Sequence, residues 1–329
     1  MSTINGIELG VSLYSFTQRF IERDEYGIDD MFQTLQSHGV KKYELIGSQI
    51  FEQYPSPRVD EIERVWKSVE KFGMTPFSYG GYFDIGRVTG RIPTDEDFVL
   101  DLTADLRTAR ALGCSHLRIG HFPKHLVPLI ADFASHYGIK IGMEVHAPSK
   151  PSDADVQELL EMFDATGSDM VGFIPDFGCF IERPAEPGLQ RYMNMGATRE
   201  LLEYVIANRH SGVSEAEMQD DVAARGGGQG ERTAISDFFG FLSFRPADLE
   251  GFTTLLHRSV YFHSKFYHVT DQLTDPTIPI EALLADIVKS GFQGVLMSEY
   301  EGHAFGTDVA EQQIERHLEL ERRVLNSLA

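Results

Sequence analysis

Residues 136–148 read HYGIKIGMEVHAP, and this stretch contains the repeated pattern that predicts the fold. A helical segment ends at Gly138, where the C-cap of a helix favours a residue with left-handed backbone. The run that follows is short and almost continuously apolar, as is typical of a parallel strand buried on both faces. The same order of segments recurs at five more glycines: Gly39, Gly73, Gly113, Gly167 and Gly291.

Two more strands are predicted outside this pattern, at residues 9–16 and 259–269. Eight strands that alternate with helices favour an α/β fold of the (β/α)8 TIM barrel type, in one domain that spans residues 1–329. A doubly wound open sheet is the alternative. It is disfavoured because no G-x-G-x-x-G glycine fingerprint follows the first strand.

One connection is longer than a barrel of this type requires. Predicted strand six ends near Phe177 and strand seven begins near Tyr261, which leaves roughly fifty residues beyond an ordinary βα unit. We therefore expect an insertion between strands six and seven, at about residues 181–258, on the active-site face. Within it, residues 191–209 are predicted as one helix, and the glycines at 226–228 as a flexible run. Three roles stay open for the insertion: a lid over the site, a surface that binds a partner, or an addition to the barrel with no function of its own.

Composition argues against several classes of protein. The net charge of −21 disfavours nucleic acid and anionic membranes as partners, because binding to phosphate groups needs a basic face. No apolar run approaches the length that spans a bilayer, and the first residues, MSTINGIELG, lack the features of a signal peptide. Two cysteines, Cys114 and Cys179, fit a reducing compartment. We therefore expect a cytoplasmic protein that binds neither nucleic acid nor membrane.

Side chains of the kinds that bind metals follow four consecutive predicted strands. The ends of strands five to eight carry, in order, Glu144 and His146, Asp176, His263 and Lys265, and Glu299. Barrels of this type place catalytic groups at the carboxyl ends of their strands, so these side chains are expected to meet at one mouth. Alternation along a strand puts Glu144 and His146 on the same side of strand five, as it does His263 and Lys265 on strand seven.

A divalent metal explains why acids stand in these apolar strands. A carboxylate such as Glu144, between Met143 and Val145, is costly to bury unless a positive charge meets it. A single acid at a strand end is more often a helix N-cap or a salt-bridge partner than a metal ligand, whereas four ligand-type residues on consecutive strands favour a metal. We predict one divalent ion, held by Glu144, Asp176, His263 and Glu299. Such a ligand set suits Mn²⁺ first, and also Mg²⁺, Co²⁺ or Zn²⁺.

The motifs around these residues resemble a known superfamily. GMEVHAP, PDFG, HSKFYH and SEYEGH are similar to the corresponding segments of xylose-isomerase-like barrels, the sugar phosphate isomerases and epimerases. The similarity covers essentially the whole chain. Endonuclease IV-type repair enzymes belong to the same superfamily, but their multi-metal, histidine-rich site and their DNA substrate do not fit this acidic chain.

Within that superfamily, HSKFYH, SEYEGH and the long insertion resemble the large (α) subunit of bacterial C-glycoside deglycosidases. The resemblance implies an enzyme that pairs with a small β-rich subunit and cleaves the C–C bond between a 3-oxo-sugar and an aromatic aglycone. Many relatives carry H-x-K-D on strand seven. Here Phe266 follows Lys265, so the role of that Asp cannot be transferred.

The chemistry common to these relatives begins with deprotonation beside a carbonyl, which the metal polarises as a Lewis acid. In the deglycosidase hypothesis, His146 removes the proton from C2, Lys265 stabilises the negative charge, and the aglycone leaves C1 by β-elimination. In the alternative, a keto-sugar isomerase or epimerase, Glu144 and Glu299 move protons on opposite faces of the substrate. A third hypothesis, a non-catalytic sugar-binding subunit, is disfavoured because a structural metal site would be closed.

Overall fold

A sheet of parallel strands forms the centre of the computed structural model, which describes residues 3–22, 26–81, 83, 86, 88–240, 244–305 and 309–329. Within these residues the sheet has 8 strands in the order β6-β5-β4-β3-β2-β1-β8-β7. The strands are β1 Ile7–Ser12, β2 Lys42–Ile46, β3 Thr75–Gly80, β4 His116–Ile119, β5 Lys140–Val145, β6 Val171–Pro175, β7 Phe262–Phe266 and β8 Gly294–Tyr300.

Helices alternate with the strands and cover the outside of the sheet. In the described part of the chain they are α1 Thr17–Glu22, α2 Ile28–Ser37, α3 Gly47–Ile50, α4 Val59–Phe72, α5 Asp95–Ala111, α6 Val127–Tyr137, α7 Ala154–Thr166, α8 Glu186–Asn194, α9 Arg199–Asn208, α10 Glu215–Ala224, α11 Gln229–Phe239, α12 Leu249–Leu255, α13 Ile280–Lys289 and α14 Ala310–Ser327. Among these helices none combines the length and the apolar character needed to cross a membrane.

The glycines that predicted the repeat have the backbone that a helix end requires. All six have φ between 62° and 76°, in the left-handed region: Gly39, Gly73, Gly113, Gly138, Gly167 and Gly291. Each follows a helix and precedes a strand that is almost entirely buried. The repeated αβ units are therefore as predicted.

The sheet closes into a barrel where β6 meets the start of β7. Parallel bridges join Phe173 to Ser259 and Asp176 to His263. Gly172 allows this approach, because a Cβ atom on it would lie 2.0 Å from the carbonyl oxygen of Arg258. The (β/α)8 barrel is thus confirmed over the open sheet. The predicted insertion between the sixth and seventh strands is confirmed as well, since α8 to α12 lie there.

Some predicted element bounds were wrong. The first strand was predicted to continue to residue 16, but β1 ends at Ser12, and a short 3₁₀ helix spans Leu13–Phe16. Its residues Leu13, Ser15 and Phe16 are buried all the same, so their apolar character does not distinguish a strand from a turn of helix. β7 is likewise shorter than predicted.

The insertion differs from its prediction in two places. Residues 191–209 do not form one helix, because Gly196 has φ 94° and separates α8 from α9. The glycine run is a tight turn between α10 and α11 and not a flexible linker. Gly226 has φ 88°, and a Cβ atom on Gly227 would lie 2.4 Å from the Val222 side chain. Glycine is therefore required there for close packing.

A small apolar cluster fills the barrel below its carboxyl-terminal mouth. It consists of Phe77, Ile174, Tyr261, Val295 and Met297, which come from strands that are not all neighbours and so meet only across the interior. Since side chains alternate along a strand, the next inward position after Val295 and Met297 on β8 is Glu299. The fold therefore places the polar side chains directly above an apolar base.

Candidate metal centre and active site

The four predicted metal ligands lie together at the barrel mouth. One oxygen or nitrogen atom from each of Glu144, Asp176, His263 and Glu299 lies within 4.8 Å of the others, and all four residues are buried. Two ligand atoms on opposite sides of one divalent ion are separated by about 4–5 Å. The quartet, as we call these four residues, is therefore of the right size and chemistry to hold one ion.

The imidazole of His263 is oriented between carboxylates. Its Nδ1 lies 2.7 Å from Oε1 of Glu144 and 3.4 Å from Oε2 of Glu299, while its Nε2 lies 3.2 Å from Oε1 of Glu44. Burial opposes the charged imidazole, but Glu299, Glu44 and Glu144 outweigh it and raise the pKa of His263 well above its usual value. Nδ1 thus faces the quartet, and the Nε2–H group is directed to Glu44.

The acids of the quartet do not share one electrostatic environment. Burial would raise the pKa of Glu144, yet Arg118, with Nη1 2.8 Å from Oε2, and His263 hold it well below its usual value. The pKa of Glu299 is also lowered, since His263 and Lys265 outweigh the effect of burial. Burial raises the pKa of Asp176 to about 6, although Lys265 lowers it.

One carboxylate oxygen of Asp176 is available to bind a metal ion. Its Oδ1 accepts a hydrogen bond from the Gly178 backbone N–H at 2.6 Å. Its buried Oδ2 lies 2.8 Å from Nζ of Lys265 but forms no hydrogen bond of normal geometry. A buried carboxylate oxygen without a well-directed donor is suited to a cation, which agrees with the donor set of the quartet.

Lys265 connects the quartet to His146. Its Nζ lies 3.3 Å from Oε2 of Glu299, 3.2 Å from Oε2 of Glu301 and 2.9 Å from Nε2 of His146. Burial opposes the ammonium charge, but Asp176, Glu301 and Glu299 raise the pKa of Lys265 well above its usual value. The lysine is therefore cationic and donates a hydrogen bond to His146.

His146 is held as one tautomer by this arrangement. Its Nδ1 lies 2.6 Å from the carbonyl oxygen of Ala147, which can only accept a hydrogen bond. Its Nε2 accepts from the Lys265 ammonium, so the proton is on Nδ1 and the lone pair is on Nε2. The unprotonated nitrogen thus points into the site, as a general base requires.

The sequence analysis did not single out two charged residues of the site. Glu44 of β2 is fully buried, and Arg118 of β4 lies 3.4 Å from it and 2.8 Å from Glu144. Glu44 stands between Tyr43 and Leu45, which is the same signal of a charge in an apolar strand that identified Glu144. Applied to every strand, that criterion finds both residues. Arg118 also places one arginine at the mouth.

A polar cavity of about 230 Å³ opens beside the quartet. Its described lining comprises Tyr14, Ile46, Ser48, Gln49, Arg118, Glu144, His146, Lys265, Glu299 and Glu301. Carboxylates, a guanidinium, hydroxyls and an amide can make the hydrogen bonds that a small polyhydroxylated molecule needs. We call this space the polar cavity.

Comparison with known proteins agrees with the motifs. A family model described as xylose isomerase-like TIM barrel matches residues 32–323. The C-glycoside deglycosidase alpha subunit of Arthrobacter globiformis is 30% identical over 319 residues, which cover 92% of this chain and 86% of that protein. The 3'-dehydrocarminate deglycosidase alpha subunit of a Microbacterium species is 27% identical over 317 residues, or 91% of this chain and 89% of that protein. The predicted resemblance is confirmed.

Among solved structures, the fold is similar to a xylose isomerase-like TIM barrel protein from Mycobacterium smegmatis in complex with magnesium. The TM-score is 0.57 at 13% sequence identity, and the match covers 100% of both chains. At this identity the likeness concerns the fold alone.

Proposed function

The chain belongs to the xylose isomerase-like TIM barrel family, and we propose that it is the alpha subunit of a metal-dependent C-glycoside deglycosidase. Its relatives with that name are similar over about nine tenths of this chain. One observation in the site carries the proposal: the Nε2 lone pair of His146 lies beside the quartet, in contact with the Lys265 ammonium. A base, a cation and a set of metal ligands at one point suit proton removal next to a carbonyl.

The proposed substrate is a 3-oxo-C-glycoside. One relative is named a deglycosidase of 3'-dehydrocarminate, and the prefix 3'-dehydro denotes a loss of hydrogen at position 3'. A carbonyl at C3 makes the hydrogen on C2 acidic, which gives the base a proton to remove. The polar cavity, with Ser48, Gln49 and Arg118 in its wall, is the proposed place of the sugar ring.

The Lys265 ammonium would first transfer its hydrogen bond from Nε2 of His146 to the oxygen at C3, where negative charge develops. The freed Nε2 lone pair of His146 would then take the C2 proton. The electron pair from C2 then forms the C1=C2 double bond while the bond from C1 to the aglycone breaks. The leaving carbon keeps that bonding pair and takes up a proton, which the protonated His146 would return, so that the base is regenerated. The products are the free aglycone and an unsaturated 3-oxo-sugar, with no net oxidation or reduction.

The metal ion, when bound, would supply Lewis acidity toward the C3 oxygen and the neighbouring hydroxyl. Glu144, Asp176, His263 and Glu299 are the proposed ligands, through carboxylate oxygens and Nδ1 of the imidazole. Mn²⁺ is the proposed ion, with Mg²⁺, Co²⁺ and Zn²⁺ as alternatives that suit the same mixed ligand set. Glu44 would hold the opposite side of the imidazole.

The relatives' names also favour a partner. Both are alpha subunits, so we propose that a second, beta subunit joins this chain in a hetero-oligomer.

A keto-sugar isomerase or epimerase is the second candidate. The observation that favours it is the pair Glu144 and Glu299, which reach the quartet from different strands, β5 and β8. Two carboxylates on either side of a sugar can remove a proton from one face and return it to the other. In that reaction His146 would bind a hydroxyl group of the substrate.

The products distinguish the two candidates. We would incubate the chain, with Mn²⁺ and with or without a co-purifying small subunit, with a 3-oxo-C-glucoside of a flavonoid and follow free aglycone by chromatography. The proposal predicts aglycone release that is greatest with the partner present and that EDTA abolishes. No release under either condition, together with rapid epimerisation of a free ketose, would replace the deglycosidase proposal with the second candidate.

A further inference from the structure

A second cavity of about 320 Å³ adjoins the polar cavity. It lies between the residues that follow β5, β7 and β8 and the helices of the insertion. Its described lining comprises His146, Ala147, Ile181, Arg191, Tyr192, Asp237, Phe244, Tyr267, Glu301, Ala304 and Phe305. His146 and Glu301 line both cavities, so the two spaces meet at the proposed base.

The second cavity differs from the first in its chemistry. Its walls are largely apolar or aromatic, with Ile181, Tyr192 and Phe244 from the insertion facing the same space as Tyr267 and Phe305. A volume of about 300 Å³ or more with mostly apolar or aromatic walls and a few polar groups is typical of a small-molecule site. Flat rings bind such walls through stacked or edge-on contacts.

Contacts within the protein hold these walls in place. The Tyr192 hydroxyl donates to Oδ2 of Asp237 at 2.7 Å, and its ring packs edge-on against Phe238 with centroids 5.4 Å apart. Phe238 in turn packs against Phe244 at 5.2 Å. Gly188 of α8 fits closely beside Phe305, since a Cβ atom on it would lie 3.3 Å from that ring. The pocket is therefore built jointly by the insertion and by the barrel.

We propose that this second cavity is the aglycone pocket, which takes a flat hydroxylated aromatic ring, and that the insertion between β6 and β7 forms its wall. The inference rests on the proposed function, because a C-glycoside joins a sugar to such a ring through the bond that His146 is placed to activate. The polar cavity then receives the sugar, the aglycone pocket receives the ring, and the junction receives C1 and C2. Asp237, Glu301 and Arg191 supply acceptors and a donor for the ring hydroxyls.

The test measures binding of the ring without catalysis. A trihydroxyflavone is titrated into the full chain with Mn²⁺ present, and the dissociation constant is read by calorimetry. Ala304→Trp fills the pocket from an exposed position, and we expect it to weaken flavone binding at least tenfold. The matched control is Ala224→Trp, an exposed alanine of α10 outside the pocket lining, which should bind as the unchanged chain does. Both variants should keep the same Mn²⁺ affinity.

A second variant, Phe305→Ala, removes a wall and should weaken flavone binding about three- to tenfold while leaving Mn²⁺ affinity unchanged. Unaltered flavone binding in Ala304→Trp and Phe305→Ala would overturn the pocket assignment. If aglycone is released from the C-glycoside with the same KM and kcat in Ala304→Trp, the pocket inference fails and the deglycosidase proposal stands. If the flavone binds and Ala304→Trp blocks it, but no C-glycoside is cleaved, the pocket stands and the proposed function fails.

Discussion

At the level of single residues, Glu44 supports the quartet by contacting the ring nitrogen of His263 that does not face the other ligands. It is fully buried on β2, lies 3.2 Å from Nε2 of His263, and is itself approached by Arg118 and by the hydroxyl of Ser12 at 3.1 Å. A carboxylate that accepts one imidazole N–H fixes the tautomer and orientation of the ring, and leaves the other nitrogen free for a metal. We therefore assign Glu44 as a positioning residue for His263.

The first prediction tests this assignment. Glu44→Gln should lower Mn²⁺ affinity about ten- to hundredfold, because the ring loses its charged partner while the volume is kept. Calorimetric titration of the purified chain measures the affinity. The matched control is Glu61→Gln, which changes a buried glutamate that accepts backbone N–H groups of Glu52 and Arg58 and belongs neither to the quartet nor to the described lining of the polar cavity. Equal losses in both variants, or none in Glu44→Gln, would refute the assignment.

The second prediction separates metal ligands from the base. Glu299→Gln should reduce the bound metal measured by elemental analysis, since a neutral amide is a poorer ligand than a carboxylate. His146→Ala should retain the metal and lower turnover of the 3-oxo-C-glycoside by about two to four orders of magnitude, the usual contribution of a general base. Loss of metal in His146→Ala would make His146 a ligand. Near-normal turnover of the 3-oxo-C-glycoside in that variant would instead show that another group, such as Glu144 or Glu299, removes the proton.

At this scale the sequence is informative wherever a charge interrupts an apolar strand. Glu144, Asp176, His263 and Glu299 were predicted together because a barrel brings the carboxyl ends of its strands to one mouth, and the structure brings them together. Glu44 and Arg118 carry the same signal but sit on strands two and four, outside the consecutive set. The contact between Lys265 and His146 was not predictable, because it depends on side-chain conformations across 119 positions of sequence.

At the scale of elements, α14 is joined to the barrel through buried polar groups. His317 stacks on Phe266 with ring centroids 3.9 Å apart, and its Nδ1 lies 2.9 Å from the hydroxyl of Ser298. Glu321, one turn further along the helix, is fully buried, and Oε2 lies 3.8 Å from Nδ1 of His317. Burial raises the pKa of Glu321 to about 8, although the Ser264 hydroxyl lowers it, and burial lowers the pKa of His317 to about 3. Both side chains are therefore neutral inside the fold near neutral pH.

The third prediction is a pH dependence of stability that arises at Glu321. Since its folded pKa of about 8 exceeds the ordinary 4.5, the folded state binds its proton more tightly, and stability is lost as pH rises through the folded pKa. Glu321→Gln cannot ionise, so its stability relative to the unchanged chain should rise by roughly 3 kcal/mol between pH 5 and pH 8. Urea unfolding at several pH values measures this difference. Glu319→Gln, an exposed change on the same helix, should show no such rise, and a flat difference for Glu321→Gln would contradict the prediction.

Element bounds in the insertion were harder to predict than those of the barrel. In the barrel, most strands are buried on both faces and their apolar runs approximately match the strands, although the run of β1 continues into the buried 3₁₀ helix Leu13–Phe16. In α8 and α9 the periodicity continues across Gly196, and the break depends on the close packing of α11 against this turn. A Cβ atom on Gly230 would lie 2.6 Å from the backbone nitrogen of Ala197. The break also has local signals that the prediction of one helix overlooks, namely Gly196 after α8 and Thr198 as the N-cap of α9.

At the scale of the whole molecule, the proposed metal lies at the seam of the barrel. The ladder of strands ends at β6 on one side and β7 on the other, and these two meet only through the bridges of Phe173 with Ser259 and Asp176 with His263 in the described residues. Asp176 and His263 are both members of the quartet. One ion bound by both residues would link β6 to β7, which the sheet joins only through these two bridges in the described residues.

The last prediction follows from that position and uses stability as its readout. A ligand that binds only the folded chain stabilises it by about 2.7 kcal/mol at one hundred times its dissociation constant, so Mn²⁺ should raise Tm by several degrees and EDTA should reverse the rise. Because the ion ties β6 to β7, hydrogen exchange of the Val260 N–H, which donates to the carbonyl of Phe173 at 2.9 Å, should slow most. Exchange of the Gly294 N–H, which donates to Gly6 where β8 pairs with β1 outside the seam, should slow less. His146→Ala should keep both effects, whereas Glu299→Gln should lose them. Equal exchange at Val260 with and without saturating Mn²⁺ would show that the ion does not bridge the seam, even if the chain binds it elsewhere.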